Sequence, residues 1–325
     1  MKSGLLRARP STCPACRPRQ AGLTLVELMI SLVLGMLVVA AAILLLLSSK
    51  SSFTIEDDTS RLLDAGRFAI ENISRSVRQT GYEALGGETV PIVSQPTDAP
   101  NIRGFDDATL AASGGLPPTP IPEPGHHSDI LQLRYFGNPD GSIVNCAGIQ
   151  VPEVFSVADT YDKRGWSTYF VRQVPGGEPE LACRYRDTGN QVQSVALASG
   201  VESFQVLYGI DRNDDGIPDR FLSATELDQD LLAGLPDTRD SLWKKVVAVK
   251  VALLLRGART QRADAPNITY DLFGANYTIG ADLGTRFHED DPSLPADERS
   301  RTRKVFSTTI QLRNRAAGAN VAALP

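Results

Sequence analysis

From residue 28 to residue 47 the chain carries twenty consecutive positions without a charge, nearly all of them apolar. At about 1.5 Å of rise per residue such a run makes a helix of about 30 Å, the thickness of a bilayer's hydrocarbon core. Beyond it the apolar positions do not stop; their spacing changes. Leu62, Ala69, Ile70, Ile73 and Val77 recur on one helical face. Asp57 and Arg61, and Glu71 and Arg75, stand four residues apart with the acid first, the favourable order for helical ion pairs. Gly81 closes the pattern. The spacing predicts one helix from about Thr24 to Gln79, lipid- or bundle-facing in its first half and amphipathic in its second, with Gly35 and Gly66 as positions where it can bend.

Residues 81–128 lose this periodicity and fill with Gly and Pro, which reads as a long surface loop region. From 129 to 325 the pattern becomes β-like. "DILQLRYF", "STYFVRQV", "ESFQVLYGI", "VVAVKVALLLRG" and "RKVFSTTIQLRNR" alternate or run apolar between Gly, Pro, Asn and Asp turns. A long helix followed by short-linked strands predicts an α+β fold, the helix packed on an antiparallel sheet. Residues 284–298 read as an acidic loop before the last strand. The alternating Arg299, Arg301, Arg303 and Lys304 beside it read as the solvated face of that strand.

Charge divides the chain. Residues 1–22 carry Lys2, Arg7, Arg9, Arg17 and Arg19 and no acid, a bias that holds the N-terminus in the cytoplasm and sends the rest of the chain across the membrane. The whole chain has a formal charge of −5, so the remainder is more acidic still, which disfavours nucleic acid as a partner. The small-residue run Ala40-Ala41-Ala42 does not end the apolar stretch, because residues 43–47 continue it. Cleavage after the run, as in a secretory signal, is therefore not expected. A plain anchor explains length and charge but leaves Glu27 unexplained, since a carboxylate at the edge of a membrane span is costly and calls for a partner.

Gly22 followed by Leu23-Thr24-Leu25-Val26-Glu27-Leu28 resembles the N-terminal signal of type IV pilins and pseudopilins. The resemblance implies a cytoplasmic cut by a prepilin peptidase between Gly22 and Leu23, leaving 303 of the 325 residues. It also implies N-methylation of Leu23, where the family usually has Phe. Glu27, the fifth mature residue, would then pair with the amino terminus of a neighbouring subunit, an attraction strengthened in a low-dielectric helix bundle.

Further along, "GRFAIENISRSVRQTGYEALGG", "SDILQLRY", "SFQVLYGIDRNDDGIPDRFLSA", "VVAVKVALLLR" and "VFSTTIQLRNR" occur in the order seen in PilW-type minor pilins. That resemblance implies a subunit anchored in the inner membrane with its globular domain in the periplasm, then carried into a pilus. It would prime assembly with other minor pilins and the major pilin, in a tip complex that helps present an adhesin, and so support twitching motility and adhesion. A J-like minor pseudopilin of a type II secretion filament is the alternative, and "TTIQLRNR" favours PilW over it.

Four regions invite chemistry. Cys13 and Cys16 form an isolated CxxC in the leader, too little for a metal site. Cys146 and Cys183 lie in the exported part, where an oxidising compartment permits a disulfide; closing this loop is worth about 3–4 kcal/mol. In "DRNDDGIPD", Asp211, Asn213, Asp215, the carbonyl of Ile217 and Asp219 match the opening of an EF-hand loop, a candidate structural calcium site. Position twelve is Leu222, however, and Glu226 comes four residues late. The same residue types are also what tight turns use. His126 and His127 have only His288 as a companion and read as loop residues. No GxSxG, HExxH or P-loop spacing occurs, and the chain reads as a non-enzyme.

Overall fold

The computed structural model describes residues 22–82, 99–111, 113–122, 127–155, 164–229, 239–260, 268–277, 283–291 and 294–314. The leader with Cys13 and Cys16, His126 and residues 83–98 of the Gly/Pro-rich region lie outside these. The chain divides into two compact units, Met1–Thr54 and Ile55–Pro325.

Helix α1 (Leu25–Gln79, 55 residues) begins in the first unit and ends in the second. In the first unit every described residue from 22 to 50 is exposed, including the whole apolar run. This stretch is long and apolar enough to cross a membrane. In the second unit the helix has a buried stripe. Leu62, Ala69, Ile73 and Val77 are buried and Ile70 is half-buried, as the spacing predicts. Asp57 and Arg61 are ion-paired at 3.1 Å, but among the described residues no ion pair joins Glu71 to Arg75.

The strands after the helix are β1 (Ile102–Phe105), β2 (Ala108–Leu110), β3 (Pro120–Pro122), β4 (Ile130–Tyr135), β5 (Gly165–Arg172), β6 (Glu180–Arg186), β7 (Val192–Ser199), β8 (Val201–Ile210) and β9 (Arg220–Leu222). Two short helices, α2 (Ala224–Gln229) and α3 (Arg239–Lys244), lead to β10 (Val246–Thr260). Then come β11 (Thr269–Asp271), β12 (Arg286–His288), α4 (Ala296–Arg299) and β13 (Arg301–Gln311). A five-stranded sheet has the order β1-β4-β5-β6-β7 and a four-stranded sheet the order β13-β10-β8-β9, with β2-β3 and β11-β12 as two-stranded ribbons. The strand pairs of both main sheets are antiparallel, including β8 with β10 and β10 with β13 at the centre of the second.

The two main sheets and the second half of α1 share one core, in which Tyr135, Tyr169, Phe204, Tyr208 and Trp243 are the largest side chains. Asp129 and Ser128 tie the sheets together at the start of β4. Asp129 N–H donates to the Phe204 carbonyl at 2.8 Å, and its carboxylate accepts the Val206 N–H at 2.8 Å. From Val246 to Leu255, β10 reads as an apolar run interrupted at Lys250, because both of its faces are covered. Val249, Val251, Leu253 and Leu255 enter the main core, while Ala252 and Leu254 pack with Leu272 and the aromatic rings of β11 and β12.

Three expectations need correction. The 81–128 region is not all loop: β1, β2 and β3 fall within it, and β1 is an edge strand of the five-stranded sheet. These strands are three or four residues long, too short to register as periodicity. The acidic 284–298 segment is not simply a loop either, since it contains β12 and the start of α4 and buries Glu289. Finally, the side chain of Arg303 is wholly buried. It donates from Nε to Glu202 Oε2 at 2.6 Å and from Nη2 to Oε1 at 3.0 Å. Its β10 partner in register is Arg256, so two like charges face each other and Glu202 lies against both. Glu178 and Glu298 complete Arg256's shell, at 2.9 and 2.7 Å.

Candidate assembly surface

The segment carrying Gly22, Leu23 and Glu27 is the start of α1. Gly22 and Leu23 precede the helix and are exposed, and a Cβ at Gly22 would meet nothing within 4 Å. Thr24 is the cap. Glu27 N–H donates to Thr24 Oγ1 at 3.2 Å, and Thr24 N–H donates back to Glu27 Oε2 at 3.5 Å. This reciprocal pair is a capping box, which satisfies two of the donors a helix start leaves open. Its signal, Thr-x-x-Glu just before an apolar run, is legible in the sequence, although the cost of a carboxylate in a membrane span points first to a partner on another chain. The acid also sits in the first turn, where the helix dipole favours a negative charge.

In the second unit the helix is held by close approach and by polar contacts. A Cβ at Gly66 would overlap the ring of Phe306 on β13, so Gly66 is a packing position and not a bend. Gly257 on β10 makes room in the same way for Asp58, whose Oδ1 accepts the Ala258 N–H at 3.3 Å. The Tyr169 hydroxyl lies 2.7 Å from both Asn72 Oδ1 and Ser76 Oγ, and burial pushes its pKa up, so it stays a neutral hydrogen-bonding group. Asn72 in turn donates from Nδ2 to the Cys146 carbonyl at 3.0 Å. Cys146 is bonded to Cys183 of β6, with Cα atoms 6.4 Å apart and both residues buried. The disulfide therefore fixes to β6 the loop that receives the helix.

Residues 211–219 come together as a turn. Asp211 is buried and accepts the Asp215 N–H at 3.2 Å and the Gly216 N–H at 2.6 Å. Asn213 Oδ1 accepts the Asp215 N–H at 3.2 Å, Asp215 Oδ1 the Ile217 N–H at 2.8 Å, and Asp219 Oδ2 the Arg212 N–H at 2.7 Å. Asp214 and Gly216 take positive φ of 62° and 89°. The pattern is thus accounted for as a turn closed by its own side chains. Leu222 is buried in the core. Glu226 is engaged elsewhere, in a second capping box with Ser223 at the start of α2, at 3.0 and 3.3 Å. Among the described residues, no group of three or more His, Cys, Asp or Glu is placed to hold a metal ion. His127 pairs with Asp107 at 2.7 Å, and His288 with Thr269 at 3.0 Å.

A membrane-length apolar helix that starts at a Gly-Leu-Thr-Leu-Val-Glu segment and continues into an antiparallel sheet domain defines a type IV pilin-like protein. Comparison with known families agrees. Residues 17–43 match the prokaryotic N-terminal methylation motif. Residues 168–314, from β5 through β13, match the type IV pilus-assembly protein W family. Together the two matches support a PilW-like type IV pilin. Among solved structures it is similar to a type IV-like pilin from Thermus thermophilus, at 16% identity and a TM-score of 0.37, over 78% of this chain and 98% of that one. No curated protein matches.

Proposed function

We propose that this chain is a minor pilin that primes type IV pilus assembly. A prepilin peptidase cuts between Gly22 and Leu23, Leu23 becomes the N-methylated first residue, and Glu27 pairs with the amino terminus of the next subunit. The observation that carries this reading is the presence of both matches in one chain, the methylation motif at 17–43 and the pilus-assembly domain at 168–314. The exposure of Gly22 and Leu23 supports access by a peptidase. The pilin family points to a structural role and not to catalysis. In this reading the apolar half of α1 holds the subunit in the inner membrane, with the sheet domain in the periplasm until it enters the filament, at the tip with other minor pilins, the major pilin and an adhesin.

The test is a count of surface pili by electron microscopy in a strain lacking the gene, complemented with wild type or with Glu27→Ala. Loss of pili and of twitching, restored by wild type and not by Glu27→Ala, is the expected result. Normal pili with a failure of protein secretion would replace the reading with a J-like pseudopilin of a secretion filament.

A further inference from the structure

Strand β7 closes one edge of the five-stranded sheet, beyond β6. Every backbone pairing of Val192–Ser199 among the described residues is with β6. Among the described residues, no backbone group pairs with its outer row of N–H and C=O groups. An open edge is a template for another strand, and proteins usually blunt it with charge, proline, short length or a bulge. The other main-sheet edges carry such devices. β9 has three residues, β1 has four and includes Arg103, and β13 carries Arg301 and the exposed Lys304. The sequence of β7, VQSVALAS, contains neither charge nor proline. Its one blunting feature is a register shift at Leu197, between the pairs Leu181↔Ala198 and Ala182↔Ala196, which leaves residues 192–196 regular.

The side chains point the same way. Val195 and Leu197 are half-buried and pack against the main core, so that core's apolar face runs out to the last strand and ends there. Gln193 and Ala196 are exposed. A strand added outside β7 would complete the backbone ladder and cover the remaining apolar edge of Val195 and Leu197.

We propose that β7 is a docking edge that accepts an extended, uncharged strand of a neighbouring filament subunit, with apolar residues at alternate positions on the Val195 side. The inference rests on the filament reading above and names the surface through which the subunit is held. A second copy pairing β7 with β7 is the less suitable occupant. That contact is twofold and closes a dimer, whereas a filament grows through contacts between unlike surfaces.

The test compares amide hydrogen exchange in the full chain purified alone and in assemblies recovered from cells that also express the other pilus-assembly subunits. The variant is Ala196→Lys, which places a charge on the exposed edge without touching the core. Exchange over residues 192–196 is expected to slow by about tenfold or more in the assemblies. Ala196→Lys should remove that protection and lower recovery in assemblies to a similar degree, with an unchanged melting temperature, while Ala196→Ser behaves as wild type. Unchanged exchange in assembled wild type overturns the proposal, as does protection in the purified chain that tracks a concentration-dependent dimer. The same samples check the filament reading separately. A chain still carrying residues 1–22 refutes that reading, whereas an unprotected β7 in a processed, assembled chain refutes this one.

Discussion

Glu27 and Thr24 cap the same helix end for each other, with bonds of 3.2 and 3.5 Å between side chain and backbone. The carboxylate proposed for subunit assembly therefore has a use within its own chain, and the two uses can be separated. Glutamine serves the third position of a capping box nearly as well as glutamate, but carries no charge. Glu27→Gln is expected to keep the helix start and to lose incorporation into pili, as judged by immunoblot of sheared filaments against membranes. Glu27→Ala should lose incorporation and also the reciprocal bond from Thr24 N–H, while Thr24 Oγ1 still accepts the backbone N–H of residue 27. Wild-type incorporation of the glutamine variant would mean that capping is the residue's main task.

The facing pair Arg256 and Arg303 makes Glu202 the most sensitive acid in the sheet domain. Replacing it leaves two guanidinium groups opposed in a buried site. Glu202→Gln is expected to cost about 3–5 kcal/mol in denaturant unfolding, the usual cost of breaking a buried pair. A loss below about 1 kcal/mol would show that Glu178, Glu289 and Glu298 hold the arginines without it.

Gly66 lies under the Phe306 ring with no room for a methyl group. Alanine there gains about 1 kcal/mol of helix propensity but forces the ring to move, at about 1–3 kcal/mol. Net destabilisation is expected for Gly66→Ala, and a smaller one in the double variant Gly66→Ala with Phe306→Leu. If the two effects simply add, helix and strand are not coupled at this point.

Glu178 supplies a pH dependence. Burial raises its pKa, but the Arg301 bond at 2.6 Å and the Arg256 charge outweigh that and hold it below the ordinary glutamate value of 4.5. The ionised, paired form is the stabilising one, so the contribution is fully present above 4.5 and is lost as the pH falls through the lower folded-state value. The melting-temperature gap between wild type and Glu178→Gln should be constant from neutral pH down to 4.5 and shrink as the pH falls further. A gap that closes between about pH 7 and 5 would contradict this assignment.

The 211–219 turn already spends its carboxylates on backbone N–H groups. Chelation with EDTA is accordingly expected to leave the melting temperature unchanged, while Asp211→Ala, which strands two N–H groups, should cost about 1–3 kcal/mol. A fall on chelation that calcium reverses would restore the ion site suggested by the residue spacing.

The N-terminal quarter of this protein, through the end of α1 at Gln79, was legible in its sequence because its physics is local. An uncharged run sets a membrane-length helix, and the methylation motif at residues 17–43 is a contiguous stretch that needs no distant contact to be read. The stripe of Leu62, Ala69, Ile73 and Val77 was legible for the same reason, since a helix repeats every few residues. Contacts between distant segments were decided only by the tertiary structure. β6 and β7 give no clean alternation, because the sheet buries them unevenly. Arg303 looked solvated until register placed it opposite Arg256 and against Glu202, residues separated in sequence and joined only by strand pairing. The same holds for Gly66 beneath Phe306 and for Asn72 at the disulfide loop. Each depends on which strand lies beside which, and pairing between strands leaves no period in the sequence.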